Sequence, residues 1–193
     1  LAHAAHCDGT PLITPLFYHF DEPECRAEAD CFMLGPDVLV APAVEEGARA
    51  VDVYLPRVEG GWHEVHDETV HAGGQRTRIA APLGRLPVLV RSGAILPLAT
   101  DWPDQAPHDF THVDLTVFAG SGEGVTERAL FFDDGLGWGY RDRDASLLSC
   151  RGTWDRDCVR LGVEEKWSGR GRPALGFVGR GMDGRRLEVE TAL

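Results

Sequence analysis

The feature that most constrains the fold is a three-residue apolar run, residues 38–40, enclosed by Pro36 and Pro42. Proline lacks a backbone N–H and breaks regular helix, so a run this short between two prolines favours a strand covered on both faces. Most of the following chain consists of short segments in which apolar and polar residues alternate. Successive strand side chains point to opposite faces, so this pattern predicts half-buried strands and a mainly β fold.

The chain before this run has a different character. Residues 1–8 are rich in alanine and are followed by Gly9 and Pro11, which indicates the end of a helix. Residues 12–20 are mostly apolar and predict a buried strand, and the charged residues 21–30 predict a loop with one helical turn. A helix without a beginning and a strand without partners indicate that residues 1–36 are the end of a larger domain.

Alternating segments continue through the rest of the chain. The first group lies within residues 51–98, where Gly73 and Gly74 predict a tight hairpin because glycine accepts positive φ angles. Residues 100–112 contain two prolines and little periodicity, which predicts a linker. A second group lies within residues 113–190. The two groups predict two antiparallel β-sandwich domains, at residues 37–99 and 100–193.

The charge balance argues against several classes of partner. The 193-residue chain has 31 acidic and 19 basic side chains, and its formal net charge is −12. An acidic surface repels phosphate groups, so neither nucleic acid nor a membrane is an expected partner. No apolar stretch approaches the roughly 20 residues that span a bilayer, and no secretory signal is visible.

The cysteines bear on the compartment and on metal binding. There are five, at positions 7, 25, 31, 150 and 158, and no two form a C-x-x-C pair. Scattered thiols are typical of a reduced, cytoplasmic protein, and zinc ligands usually come in close pairs. We therefore expect a cytoplasmic protein with no metal and no cofactor. The alternative, for an exported protein, is a disulfide between Cys150 and Cys158.

Three groups of motifs follow one another in the first half of the chain. The first is PLFYHF at 15–20, DCFMLGP at 30–36 and VLVAP at 38–42. The second is VYLP at 53–56, GW at 61–62 and GGQ at 73–75. The third is APL at 81–83, LPVLVR at 86–91 and GAILP at 93–97. In order and spacing these motifs resemble the C-terminal part of glycoside hydrolase family 31, the α-glucosidase and α-xylosidase family.

The resemblance extends less specifically into the second half, where FDDG at 132–135 and Tyr140 are similar to the family's distal β domain. Two positions depart from the family, which usually has arginine at Thr14 and glutamine at Cys31. The resemblance implies an upstream (β/α)8 barrel whose last segment is residues 1–36. That barrel is the expected partner, within the same parent chain, and carbohydrate is a further partner.

The resemblance also implies a function for the parent chain, which is retaining hydrolysis of α-linked glucosides or related sugars. The family's catalytic aspartates lie upstream of these residues, so this region is expected to contain no catalytic residue and to act as a scaffold. It leaves the substrate-binding residues unidentified. The alternative is a stand-alone carbohydrate-binding or structural β module.

Asp133 and Asp134 are adjacent carboxylates that invite a catalytic interpretation. Retaining glycosidases need two carboxyl groups about 5 Å apart, whereas neighbouring strand residues point to opposite faces. A calcium-binding loop is a second interpretation, because hard cations take carboxylate oxygens. We favour a turn, since aspartate and glycine both stabilise turns through local hydrogen bonds and positive φ angles.

Histidines and tryptophans supply the remaining candidates. His63, His66 and His71 are close in sequence but fall on both faces of a strand, so we expect exposed histidines rather than a metal site. His3 and His6 lie on the predicted helix, at an end expected to be buried against the barrel. The five tryptophans, at 62, 102, 138, 154 and 167, are expected mainly in cores. Trp138, between two glycines, is the one candidate for sugar contact.

Overall fold

Short strands dominate the computed structural model, which describes residues 1–99, 112–135, 137–169 and 173–192. The chain divides into two compact units, residues 1–92 and 93–193. The first unit contains helices α1 (Ala2–Asp8) and α2 (Pro23–Ala27) and a 3₁₀ turn (Leu16–Tyr18). Its strands are β1 (Ile13–Thr14), β2 (Phe32–Leu34), β3 (Val38–Val40), β4 (Ala50–Leu55), β5 (Trp62–Glu64), β6 (Val70–His71), β7 (Gln75–Ala80) and β8 (Val88–Arg91).

The second unit has one 3₁₀ turn (Gly139–Asp142) and seven strands among its described residues. These are β9 (Ala94–Ala99), β10 (His112–Phe118), β11 (Gly124–Phe132), β12 (Ser146–Trp154), β13 (Cys158–Trp167), β14 (Ala174–Arg180) and β15 (Arg186–Ala192). The mainly β fold expected from the alternating pattern is confirmed. Among the described residues, no helix is long and apolar enough to cross a membrane.

The proline-bounded run forms β3, as predicted, and it lies inside a six-stranded sheet of order β1-β2-β3-β8-β5-β6. Leu39 faces Met33 of β2 and Leu89 of β8, and all three side chains are fully buried. This run is apolar because neighbouring strands and the core cover it. Strands β4 and β7 form a separate two-stranded sheet whose buried side chains join the same core.

Trp62 anchors this core. Its side chain is fully buried, and its indole Nε1 donates a 2.8 Å hydrogen bond to the carbonyl oxygen of Pro56. The Phe20 ring packs against it with the ring centroids 5.9 Å apart. A buried indole needs a partner for its N–H, and the turn after β4 supplies one. The predicted core role of Trp62 is therefore confirmed.

The second unit combines a three-stranded sheet, β14-β10-β9, with a four-stranded sheet, β11-β12-β13-β15, around one apolar core. The expectation of purely antiparallel pairing is wrong here. Strand β14 runs parallel to β10, and β15 runs parallel to β13. Alternation of side chains reports which face each residue occupies, but it carries no information about the direction of the neighbouring strand.

The predicted buried strand at residues 12–20 is also wrong. Only Ile13 and Thr14 are in a strand, and Pro15 ends it because it has no N–H to donate. The chain then turns into a 3₁₀ helix in which Tyr18 N donates to Pro15 O at 3.0 Å. Leu16 is buried, whereas Phe17 and Tyr18 are more than half exposed.

The predicted hairpin at Gly73 and Gly74 is not formed, since β6 and β7 lie in different sheets. Gly74 has a φ of 77°, and its N–H donates to Leu55 O at 2.7 Å. A Cβ on Gly73 would collide with the backbone of residues 56–58. The two glycines therefore let the chain cross close to the end of β4.

The helix over the first residues and the helical turn within 21–30 are confirmed as α1 and α2. Gly9 ends α1 in the left-handed region with a φ of 78°. The predicted linker at 100–112 and Trp102 lie outside the described residues, apart from His112 at the start of β10. The division into a barrel remnant, 1–36, and two sandwich domains, 37–99 and 100–193, stays a prediction.

Candidate functional site

Large apolar side chains are exposed around the first strand of the six-stranded sheet. We call this surface the apolar edge and define it by Leu1, Leu12, Ile13, Phe17, Tyr18 and Leu34. Ile13 has 61% of its surface exposed, and Phe17 and Tyr18 have 53% and 54%. Residues 12–18 contain no charged side chain. Exposed apolar side chains grouped in this way are typical of surfaces that bind another protein surface or domain.

The sheet brings four of these residues together. Ile13 pairs with Leu34 across β1 and β2, and Gly35 N donates to Leu12 O at 2.9 Å. Gly35 has a φ of 62°, and the Leu1 side chain occupies the position that a Cβ there would need. The edge is thus formed by the start of α1, by β1 and by the end of β2.

The 3₁₀ turn adds the two aromatic residues. Because Leu16 points into the core, the adjacent Phe17 and Tyr18 point outward. Tyr18 contacts the His19 ring edge to face at 5.0 Å between centroids, and His19 in turn contacts Phe20 at 6.4 Å. This row of packed rings connects Tyr18 of the apolar edge to the core.

A buried polar cluster lies close behind the apolar edge. Asp37 is 4% exposed, accepts a 2.6 Å hydrogen bond from Arg91 Nε, and accepts another at its backbone oxygen from Arg91 N at 3.0 Å. Burial and the Arg91 charge lower the pKa of His19, against the opposing effect of Asp37. His19 Nε2 and Thr14 Oγ1 are buried without a hydrogen-bond partner among the described residues. Such atoms are rare in folded proteins and call for a partner.

Glu22 ties the N-terminal segment to β4. Its carboxylate accepts hydrogen bonds from Tyr54 Oη at 2.7 Å and from Arg57 N at 2.9 Å. The hydrogen bond to Glu22, with burial, raises the pKa of Tyr54 to about 12. Glu28 adds an ion pair with Arg76 of β7. These contacts hold the segment that contains α2 against the two-stranded sheet of β4 and β7.

The histidines predicted to be exposed are placed differently. His63 is 4% exposed and shares a 2.9 Å hydrogen bond between its Nε2 and Ser92 Oγ, so the expectation was wrong for it. It was also wrong for His71, which is largely buried with its Nε2 2.9 Å from Glu64 Oε1. His66 is exposed, as expected, and its Nε2 lies 3.0 Å from Leu86 O. A polar side chain in a strand can be buried where the fold supplies a hydrogen-bond partner. The alternation of apolar and polar residues in the sequence does not identify that partner.

His3 and His6 lie on α1, as predicted. No residue of α1 is buried by the described part of the chain, and His6 is exposed. His3 Nε2 lies 3.6 Å from Cys7 Sγ, one helical turn along. The expected burial of this end against a barrel stays a prediction.

Asp133 and Asp134 stabilise a turn, as predicted. Asp133 Oδ1 accepts the N–H of Gly135 at 3.1 Å, and Asp134 Oδ1 accepts that of Gly137 at 3.2 Å. Gly135 has a φ of 64°, which glycine adopts without strain. In the part of the chain that the structure describes, no group of three or more His, Cys, Asp or Glu side chains is placed to hold a metal ion.

The described tryptophans separate into core and surface. Trp62 and Trp154 are buried in the two cores, as predicted, and Trp167 is partly buried below Arg143. Trp138 is 66% exposed. It is therefore the described tryptophan that can meet a ligand in solution.

Every cysteine is a free thiol, including Cys150 and Cys158, so the disulfide alternative is not formed. Cys7 is exposed and the other four are buried. Burial raises the pKa of Cys31 to about 12 and that of Cys25 and of Cys150 to about 11. These thiols are protonated at neutral pH and unreactive as nucleophiles.

Sequence reasoning missed the polar cluster and the Glu22 contact. Asp37 and Arg91 are 54 positions apart, and Tyr54 and Glu22 are 32 apart. The only signal was indirect: Asp37 interrupts the apolar stretch between Pro36 and Val38, and Arg91 ends the apolar strand β8. A charge at such a position indicates a buried partner without identifying it.

The fold and the apolar edge define a broad class of protein. It is a β-rich chain of two units that has an exposed apolar edge and, among its described residues, no metal cluster. Comparison with known proteins specifies the family. The glycosyl hydrolase family 31 C-terminal domain matches residues 9–96. Over these residues the chain belongs to glycosyl hydrolase family 31 and carries its C-terminal domain, which confirms the resemblance drawn from the motifs.

Similarity to curated relatives extends beyond that domain. Neutral alpha-glucosidase AB of Mus musculus is 31% identical over 156 residues, which cover 77% of this chain and 16% of that protein. Alpha-glucosidase of Aspergillus oryzae is 31% identical over 186 residues, covering 86% of this chain and 19% of that protein. The chain thus spans less than a fifth of the length of these two relatives.

Solved structures agree. A GH31 dextranase of Flavobacterium johnsoniae, complexed with glucose, superposes with a TM-score of 0.76 and 28% identity, over 90% of this chain and 21% of that one. The GH31 alpha-xylosidase of Xanthomonas citri gives a TM-score of 0.72 and 27% identity, over 95% and 20%. The likeness in fold to these two GH31 structures therefore extends over both units.

Proposed function

We propose that this chain is the C-terminal scaffold region of a retaining glycoside hydrolase that acts on α-linked glucosides or related sugars. In this proposal the residues present here catalyse nothing themselves. They support an upstream (β/α)8 catalytic barrel in the same parent chain, with residues 1–36 as the last part of that barrel. The names of the relatives, alpha-glucosidase, dextranase and alpha-xylosidase, support the substrate class.

The apolar edge is the observation that carries this proposal. Ile13, Phe17 and Tyr18 each expose more than half of their surface, and β1 has no strand on its outer side among the described residues. Burial of apolar area stabilises by about 25 cal/mol per Å². The rest of the barrel, packed here, would cover these side chains and remove their apolar area from water.

The carboxylates support the non-catalytic part of the proposal. A nucleophile and an acid/base must face the same glycosidic bond from opposite sides. Asp133 and Asp134 instead accept the N–H groups of their own turn, at 3.1 and 3.2 Å. Groups engaged in this way act as structural residues.

Two measurements test the proposal. An antibody against these residues should detect, in the source cell, a polypeptide several times larger than 21.1 kDa. In that longer chain, the amides of residues 12–18 should exchange with deuterium far more slowly than in the 193-residue chain, because the barrel covers them. A native band at 21.1 kDa would overturn the proposal in favour of a stand-alone module.

A substitution then tests the contact itself. Phe17→Ser in the longer chain should lower both the unfolding temperature and the turnover of an aryl α-glucoside, because it removes apolar area from the covered surface. Val125→Ser, at a strand position that is 59% exposed in the second unit, is the matched control. Equal and small effects of the two substitutions would argue against a barrel packed on the apolar edge.

We also propose a cytoplasmic location, which the free thiols support. Disulfides persist in oxidising compartments, so an exported protein would be expected to pair its cysteines. Fractionation of source cells with the same antibody tests this. Recovery from the medium or an oxidising compartment would contradict it.

A further inference from the structure

Trp138 has an unusual environment for so large an apolar side chain. It is 66% exposed and lies between Gly137 and Gly139, so its nearest neighbours in the chain have no side chains to cover it. A Cβ on Gly139 would meet Asp144 Cβ at 3.2 Å and Asp144 Oδ2 at 3.4 Å. Glycine thus allows a close loop from which the indole projects.

Two further side chains order the indole. The Arg141 guanidinium carbon lies 4.1 Å from the centroid of the Trp138 ring, which is a close cation–π contact. The Tyr140 ring lies 6.0 Å from the Trp138 ring at an interplanar angle of 37°. The 3₁₀ turn over Gly139–Asp142 holds these residues next to one another. These contacts favour one orientation of the indole before a ligand binds, which lowers the entropic cost of binding.

We propose that Trp138, Tyr140 and Arg141 form a binding platform for α-linked gluco-oligosaccharides in the second unit. The C–H groups on one face of a pyranose pack against an aromatic ring, and its hydroxyls form hydrogen bonds with polar groups beside that ring. The guanidinium of Arg141 provides donors, and the phenol of Tyr140 both donates and accepts. This platform would hold a glucan chain without cleaving it.

Other ligand classes fit less well. A cationic ligand is disfavoured because Arg141 already places a positive charge on the indole. A phosphate-rich ligand is disfavoured by the net charge of −12 and by the aspartates of this loop, Asp133 and Asp134 among them. A neutral, hydroxyl-rich ligand meets neither objection. Membership of a family whose named relatives act on glucosides agrees with that chemistry.

The proposed sugar platform goes beyond the scaffold function, and the experiments that test the two proposals can fail independently of each other. Failure of oligosaccharide binding would leave a scaffold without a sugar platform. A native chain of 21.1 kDa would remove the barrel and leave the platform in place.

The test is titration of the 193-residue chain with maltotriose and isomaltotriose, followed by ligand-detected NMR and by tryptophan fluorescence. We expect weak binding of at least one trisaccharide, and Trp138→Ala should weaken it by roughly tenfold or more. Leu83→Ala is the control, because Leu83 is an 88% exposed apolar residue of the other unit and lies outside the apolar edge. It should leave the affinity unchanged.

A second variant protects the test against misfolding. Arg141→Met removes the guanidinium but keeps the indole, and should weaken binding several-fold with an unchanged circular dichroism spectrum. Binding of neither trisaccharide by the wild-type chain would overturn the proposal. Binding that Trp138→Ala leaves intact would overturn it equally.

Discussion

Replacing Tyr54 with phenylalanine isolates the contact that fixes the N-terminal segment. The Tyr54 side chain is buried, and its hydroxyl donates to Glu22 at 2.7 Å. Hydrogen bonds to charged groups contribute about 1.5–3 kcal/mol. Glu22 is 20% exposed and keeps its hydrogen bond from Arg57 N, so water and the backbone partly replace the phenol. We therefore expect the lower value, a loss of about 1.5 kcal/mol.

Native-state hydrogen exchange measures this loss of stability within the first unit, which contains Tyr54. Strands β4 and β7 are paired from Ala50 with Ala80 to Leu55 with Gln75, so their amides report the opening of the sheet that carries Tyr54. A loss of about 1.5 kcal/mol speeds their exchange by roughly tenfold. Tyr18→Phe, at a side chain that is 54% exposed, is the control. It should change the free energy of opening, derived from the exchange rates, by less than about 0.5 kcal/mol. Equal effects of both substitutions would refute the reasoning.

The same residue gives a pH dependence with a defined sign. The hydrogen bond to Glu22 and burial raise the pKa of Tyr54 to about 12 in the folded chain, from an ordinary value near 10. Between these values the unfolded chain has lost the phenolic proton and the folded chain retains it. This contribution to stability is complete below pH 10 and is lost as the pH rises towards 12. Tyr54→Phe should remove that part of the decline, and an identical decline in both chains would contradict the assignment.

Three further outcomes are expected. The 193-residue chain should release no product from an aryl α-glucoside, and turnover that Asp133→Asn or Asp134→Asn abolishes would contradict the turn assignment. Leu39→Ala should cost about 2–5 kcal/mol in urea unfolding, because Leu39 is fully buried, whereas Leu83→Ala, at an 88% exposed position, should cost less than about 0.5. At pH 8 a thiol reagent should label Cys7 first, because burial raises the pKa of Cys25 to about 11 and of Cys31 to about 12; uniform labelling of the native chain would argue against these burials.

The sequence predicted those features that depend on local chemistry. Pro36 and Pro42 bound β3 as expected, Gly9 ends α1 in the left-handed region, and Asp133 and Asp134 accept the N–H groups of their turn. In each case the residues that decide the structure lie within a few positions of it. The family motifs extended this reach, because the order of several local signals indicated the family whose C-terminal domain matches residues 9–96.

Features that depend on distant partners were missed or misread. His63 was expected at the surface, yet Ser92, 29 positions away, gives it a buried partner. Strand β15 pairs in parallel with β13, although β14, which belongs to the other sheet, lies between them in sequence. In the candidate site, Phe17 and Tyr18 are exposed because Pro15 ends β1 after two residues. Pro15 is a local signal, but the apolar composition of residues 12–20 favoured a longer strand.

The two ends of the six-stranded sheet strengthen the case that the apolar edge is a contact surface. At the β6 end, Arg85 bonds to Glu64 at 2.7 Å and to Asp67 at 2.9 Å, and His71 bonds to Glu64. Charged groups of this kind protect a strand edge from pairing with other chains. The β1 end has Ile13 beside Leu34 and no charge within residues 12–18. One sheet thus protects one edge and leaves the other apolar, which is the expected arrangement if a further domain covers the β1 end.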